Sequence, residues 1–244
     1  MQFNWVISKA YTGCEWVMKL AYVNILWVLF SVSGLIFFGM SPASVALFTI
    51  LRKWLMNETD IPIFRTFLDT YKKEFRKANK IGWLMAMIGM FLYIDFKFLI
   101  NIGGTIQYVL SVPLLIITIL YFITMLYIFP VYVHYEVRLV QNIKNSFYIG
   151  IINMHITILM MAATFLLGIL YTYIPGVVPF FSVSLFALIV MTGAKQSFQR
   201  IEEKQNEVFE IPAGIWHRHS CRRFSGCEVR GGKIQFQDNN RRGE

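Results

Sequence analysis

Residues 62–80, PIFRTFLDTYKKEFRKANK, and residues 81–100, IGWLMAMIGMFLYIDFKFLI, decide the fold: a strongly charged segment passes directly into an apolar one. Read as a helix, Phe64, Phe67, Leu68, Tyr71, Phe75 and Ala78 fall within an arc of roughly 100°. Arg65, Asp69, Lys72, Lys73, Arg76, Lys77 and Lys80 take the opposite side. Such a basic amphipathic helix suits the surface of an anionic bilayer, its rings among the headgroups and its cations in water. Pro62 is well placed at its start, where the missing N–H would have no partner anyway. The apolar residues that follow supply the length of about 20 that a spanning helix needs.

The same contrast runs through the chain. Residues 20–51, 98–135 and 145–194 contain no Asp, Glu, Lys or Arg. Hydrophobic residues make up 56% of the chain and charged residues 15%, against about 25% charged in a soluble domain. The predicted fold is an all-α integral membrane protein, a bundle of about five transmembrane helices plus a cytoplasmic basic amphipathic helix. The spans fall at about 20–40, 81–102, 107–135, 149–171 and 177–194, with the interfacial helix at 62–80 and a membrane domain over 1–204. Residues 1–19 carry Phe3, Val6, Ile7, Ala10, Val17 and Met18 at helical spacing and predict a short interfacial helix. They lack the basic start and small-residue cleavage site of a signal peptide. Residues 205–244 are polar and rich in Arg and Gly without a sustained period, which predicts a disordered tail with a short strand at 233–237.

Gly39, Ser41 and Pro42 mark a helix break, because Pro42 cannot donate to the helical ladder and restricts Ser41 before it. The predicted continuation over residues 40–51 is broken or re-entrant; a single long kinked helix is the other reading. A site on the break would expose backbone groups to a ligand, whereas a plain kink would only make packing room.

Basic residues set the orientation. Residues 52–80 contain eight Lys and Arg, residues 136–144 two, and Lys195, Arg200 and Lys204 add three, all on one side of a five-span chain. The other side has Lys9, Lys19 and Lys97. The positive-inside rule then places the basic helix and the C-terminus of a multi-pass membrane protein in the cytoplasm. The formal net charge of +9 does not indicate nucleic acid, since the cations flank apolar runs instead of interleaving with an aromatic platform. Cys14, Cys221 and Cys227 are too few and scattered for a disulfide framework.

Polar residues inside a span are the candidate chemistry. Asp95 lies roughly 20 Å along the helix from Lys80. With Lys97 and Asn101 it forms a candidate intramembrane polar site that could take a proton, a cation or a sugar hydroxyl. Asp95 and Lys97 are two residues apart and so do not face each other on a helix; the structural alternative pairs Asp95 within the bundle while Lys97 reaches outward. Arg65, Lys72, Lys73, Arg76, Lys77 and Lys80 form the membrane-surface basic face. His134 and His155 would make a metal or proton site only if they met, and His217, His219, Cys221 and Cys227 do not match a usual zinc spacing. No nucleophile–base pair, phosphate loop or zinc-protease helix is present, so neither an enzyme nor a cofactor is expected.

With the spans placed, the chain resembles the YesL-like family of small bacterial integral membrane proteins. Trp27-Val28-Leu29-Phe30 through Gly39-Met40-Ser41-Pro42-Ala43 to Leu51-Arg52-Lys53 carries the resemblance, as does Phe64 through Lys77-Ala78 followed at once by a span. Tyr127-Ile128-Phe129-Pro130, Asn142-Ile143-Lys144-Asn145-Ser146-Phe147 and Val178-Pro179-Phe180 continue it, over about residues 1–204. The resemblance supplies no catalytic residues. It implies a membrane protein accompanying carbohydrate uptake, with a sugar ABC transporter or another membrane protein as partner besides the lipid bilayer. The expected function is a non-enzymatic accessory or regulatory protein; the alternative is a small permease component with its polar site at Asp95.

Overall fold

The structure, a computed structural model, describes residues 2–102, 104–135, 139–210, 227–230 and 233–236. Among these residues seven α-helices run in chain order: α1 Gln2–Ser33, α2 Met40–Leu55, α3 Ile63–Ile102, α4 Gly104–His134, α5 Leu139–Ile152, α6 Met154–Tyr173 and α7 Val178–Glu210. A single 3-10 turn, Pro175–Val177, precedes α7. Five helical segments are long and apolar enough to cross a membrane: Gly13–Ser33, Ile63–Asn101, Gln107–His134, Met154–Tyr173 and Pro175–Glu203. The chain is a multi-pass helical membrane protein.

The helix boundaries correct several expectations. The helix predicted over residues 1–19 and the first span are one helix, α1, whose apolar segment starts at Gly13 and has ended by Ser33. Of the break expected at Gly39, Ser41 and Pro42, Gly39 lies in it but Ser41 and Pro42 do not: the break runs over residues 34–39, between Ser33 and Met40. Leu35 and Ile36 take left-handed φ values of 57° there, a costly conformation for branched side chains. Met40 to Pro42 instead form the first turn of α2, where the absent N–H of Pro42 costs no internal bond. Gly39 is needed for close approach: a Cβ would lie 2.5 Å from the Ser31 carbonyl oxygen. The fourth span begins after a break at Asn153, which separates α5 from α6 and whose carbonyl accepts from Ile156 and Thr157.

The 16-residue α2 is the centre of the bundle. It rises only about 24 Å, less than the ~30 Å hydrocarbon thickness, and is no candidate span. Ala43, Ala46, Leu47, Ile50 and Leu51 on it are wholly enclosed. Non-spanning backbone at membrane depth is tolerated when protein covers it, and α1, α3 and α4 pack on α2. Small residues allow the approach: Trp27 donates to Ser44 Oγ at 3.1 Å, and Ser41 packs directly on Gly82 of α3. Trp16 meets Trp54 edge-on, Phe48 stacks on Phe129 of α4, and Lys195 of α7 caps the Leu55 carbonyl at 2.6 Å.

Residues 62–80 and the second span are one continuous helix, because nothing in α3 interrupts its 40 residues. At about 60 Å it is roughly twice the hydrocarbon thickness. The rings expected among headgroups turn onto α1 instead: Phe30 packs against Phe67 and Tyr71 at 5.2 and 5.1 Å, and Tyr71 donates to the Phe30 carbonyl. The α3–α4 turn uses Gly104 at φ 71°, as its glycine predicts.

Asn24, fully buried on α1, holds the start of α7. Its amide nitrogen donates to the Pro179 carbonyl at 2.8 Å, and its carbonyl accepts from the Val183 and Ser184 N–H groups at 3.1 Å each. Tyr127 of α4 meets Thr157 of α6 at 3.0 Å and Ser197 of α7 at 3.4 Å, so one buried hydroxyl network joins three helices.

Contacts divide the chain into two units, 1–198 and 199–244. The second contains an antiparallel pair of strands, β1 Cys227–Arg230 and β2 Lys233–Phe236, in register Cys227 to Phe236 and Arg230 to Lys233. Lys233–Phe236 matches the strand predicted for the tail, and pairing with β1 satisfies its backbone. His217, His219 and Cys221 lie outside the described residues.

Candidate functional site

The basic face of α3 divides into two rows. Lys73, Lys77 and Lys80, at i, i+4 and i+7, line a recess of about 930 Å³ between α2, α3, the end of α4 and the start of α5. Arg65, Lys72 and Arg76 follow a second row and do not line it. Helical geometry explains the division: about 100° per residue places the second row roughly a quarter turn away from the first. Arg65 is occupied by Asp69, 4.0 Å away and fully in solvent reach, a pair of little energetic weight.

Arg52, from the last turn of α2, adds the fourth cation of the recess. Its Nη1 donates to the Val133 carbonyl at 3.1 Å, while its Nε is shielded from solvent with no hydrogen-bond partner. Among the described residues, Glu74 is the sole carboxylate in the lining. It accepts from the Tyr132 hydroxyl at 2.6 Å and stands 3.9 Å from Lys77. Thr49 and Thr70 contribute hydroxyls, while Val45, Val133, Leu139 and Val140 form apolar wall. Four cations facing one engaged carboxylate give an attractive field for an anion. Arg52, Glu74 and Tyr132 were not singled out from the sequence. Their signal is faint: Arg52 merely closes an apolar run, and Glu74 is a lone acid beside the basic row, at i, i+3 to Lys77.

Asp95, Lys97 and Asn101 occupy a different place. All three are exposed on the second half of α3, and the side chain of neither Asp95 nor Asn101 makes a hydrogen bond or ion pair with another described residue. Lys97 bends back over the Tyr93 ring at 5.8 Å. A second cavity, about 810 Å³, is lined mainly by rings and aliphatic groups such as Phe48, Phe129, Phe165 and Phe186 and contains none of these three residues. His134 stacks on Phe198 at 4.5 Å. Gly39, Ser41 and Pro42 are taken up in packing, Gly39 against the end of α1 and Ser41 against Gly82.

Together these features define a polytopic α-helical membrane protein with, among its described residues, five apolar helical segments, a short buried helix and a basic recess beside it. The chain belongs to the YesL-like family. Residues 20–96 match the family described as "Protein of unknown function, DUF624", a stretch that takes in all of α2 and most of α3. Three relatives come from Bacillus subtilis (strain 168). The uncharacterized protein YesV is 36% identical over 203 residues, covering 83% of this chain and 97% of its own. The uncharacterized protein YteU is 34% identical over 207 residues, 85% and 93%. The uncharacterized protein YesL is 34% identical over 194 residues, 80% and 91%. No solved structure matches the chain.

Proposed function

We propose that the chain is a non-enzymatic accessory or regulatory membrane subunit that docks, through the outer face of α3, on a membrane component of a carbohydrate-uptake system. Its charged α3 segment and its C-terminus then face the cytoplasm of a bacterial cell, as the distribution of Lys and Arg favours. The sugar connection comes from the family resemblance; a sugar ABC transporter is the partner class it suggests. One observation carries the docking reading. Asp95 stands on the outward face of an apolar helix among exposed Phe91, Ile94 and Phe98. A carboxylate there is costly against lipid and is accommodated when another membrane protein covers it. The permease alternative needs a polar cavity at Asp95 or Asn101, and neither cavity described above includes them.

A photo-crosslinking residue in place of Phe91 or Phe98 tests this in native membranes. The expected adduct contains a membrane subunit of a solute-uptake system and weakens with Asp95→Asn. Adducts with lipid alone would remove the reading.

A further inference from the structure

We infer that the recess formed by Arg52, Lys73, Lys77 and Lys80 binds a phosphate-bearing anion, with the phosphate of an anionic lipid headgroup as its ligand. This goes beyond the docking reading and does not depend on it.

Three features point to phosphate. Among the described residues the lining offers four cationic side chains against one carboxylate, and that carboxylate is engaged by Tyr132 and Lys77. Lys73, Lys77 and Lys80 come from one row on a rigid helix, so their ammonium groups can converge on one anion without ordering a loop. Arg52 has its guanidinium anchored through Nη1 to the Val133 carbonyl, while the shielded Nε keeps a donor unused. Phosphate offers several acceptor oxygens, matching an array of donors that a neutral sugar would leave charged and unpaired.

Two further features favour a lipid over a soluble anion. Lys80 is the last charged residue before the apolar run of α3 begins at Ile81, so the cations stand where charge gives way to hydrocarbon, the depth of headgroups. Val45, Val133, Leu139 and Val140 also give the recess an apolar wall beside its charges. Basic pockets at helix ends on the positive side of a membrane suit this pairing of charge and apolar surface. The second row, Lys72 and Arg76, meets the bilayer only as diffuse surface charge.

The test is native mass spectrometry and thermal unfolding of the full-length protein in a mild non-ionic detergent. The probes are phosphatidylglycerol, phosphatidylcholine and inorganic phosphate. Phosphatidylglycerol is expected to be retained at least about tenfold better than phosphatidylcholine, with K73Q/K80Q lowering that retention about tenfold or more and K72Q/R76Q changing it little. Both lysines removed are exposed, so the variant should keep the unfolding temperature of the lipid-free parent. Stabilisation by millimolar inorganic phosphate with displacement of the lipid would assign the same recess to a soluble phosphate; no displacement would assign it to the headgroup. Equal retention of both lipids with no response to phosphate would overturn the site. So would equal losses from the two double variants, since surface charge alone would then explain binding.

Discussion

Tyr132 donates its hydroxyl hydrogen to Glu74 across 2.6 Å, tying the end of α4 to the basic row of α3. The Glu74 side chain is only 15% exposed, so the bond does two things. It satisfies a largely desolvated carboxylate, and it disperses part of the one negative charge that the described lining presents to an incoming anion. Tyr132→Phe should therefore cost about 1–2 kcal/mol in unfolding measured in detergent, because one hydrogen bond to a charged group is lost.

Glu74→Gln separates the two effects. The amide keeps an acceptor for Tyr132 but removes the negative charge beside Lys77. Retention of phosphatidylglycerol should rise severalfold in native mass spectra, with a stability loss of about 1 kcal/mol or less. A fall in retention would mean that Glu74 chiefly positions the recess.

Asn24 should be the most sensitive polar residue of the bundle. Asn24→Ala removes one donor and one doubly used acceptor from the start of α7, leaving buried backbone groups to find other partners. The expected loss is about 2–4 kcal/mol on unfolding in mixed micelles, within the range for buried unsatisfied groups. Asn24→Asp should be nearly as damaging, because a carboxylate cannot donate to the Pro179 carbonyl.

Gly39→Ala probes the turn between α1 and α2. The new methyl would meet the Phe30 and Ser31 carbonyl oxygens at 2.7 and 2.5 Å, and backbone cannot move aside as a side chain can. A loss of about 1–3 kcal/mol in the same assay is expected. Gly13→Ala, where a Cβ meets nothing within 4 Å, is the control and should be neutral or slightly stabilising.

Orientation can be read chemically. With Cys14, Cys221 and Cys227 replaced, a cysteine at Lys72 should react with an impermeant maleimide only after cells are opened. Labelling of intact cells would reverse the assigned topology and the positive-inside argument with it.

The spans were legible because hydropathy accumulates along the chain, needing no knowledge of neighbours. Long uncharged runs can only be accommodated in lipid or a core, and their lengths predict about five crossings, as the five apolar segments show. The recess was less legible. Its three lysines were visible on α3, yet Arg52 and Tyr132 join them from 21 residues before and 59 after Lys73 in the chain, as their numbers show. No local pattern encodes such a meeting.

By itself, then, the amino-acid sequence determined the membrane class, the apolar spanning segments and the amphipathic character of residues 62–80, all of which follow from transfer free energies of successive side chains. Only the tertiary structure decided what each face meets. It enclosed the short α2 where a re-entrant segment was one of two readings, turned the rings of α3 onto Phe30, divided its cations into two rows, and left Asp95 facing outward. The physical reason is that burial within a bundle depends on which distant helices pack together. That choice rests on small-residue contacts such as Ser41 on Gly82 and on paired polar groups such as Asn24 with Pro179, which only long-range proximity reveals.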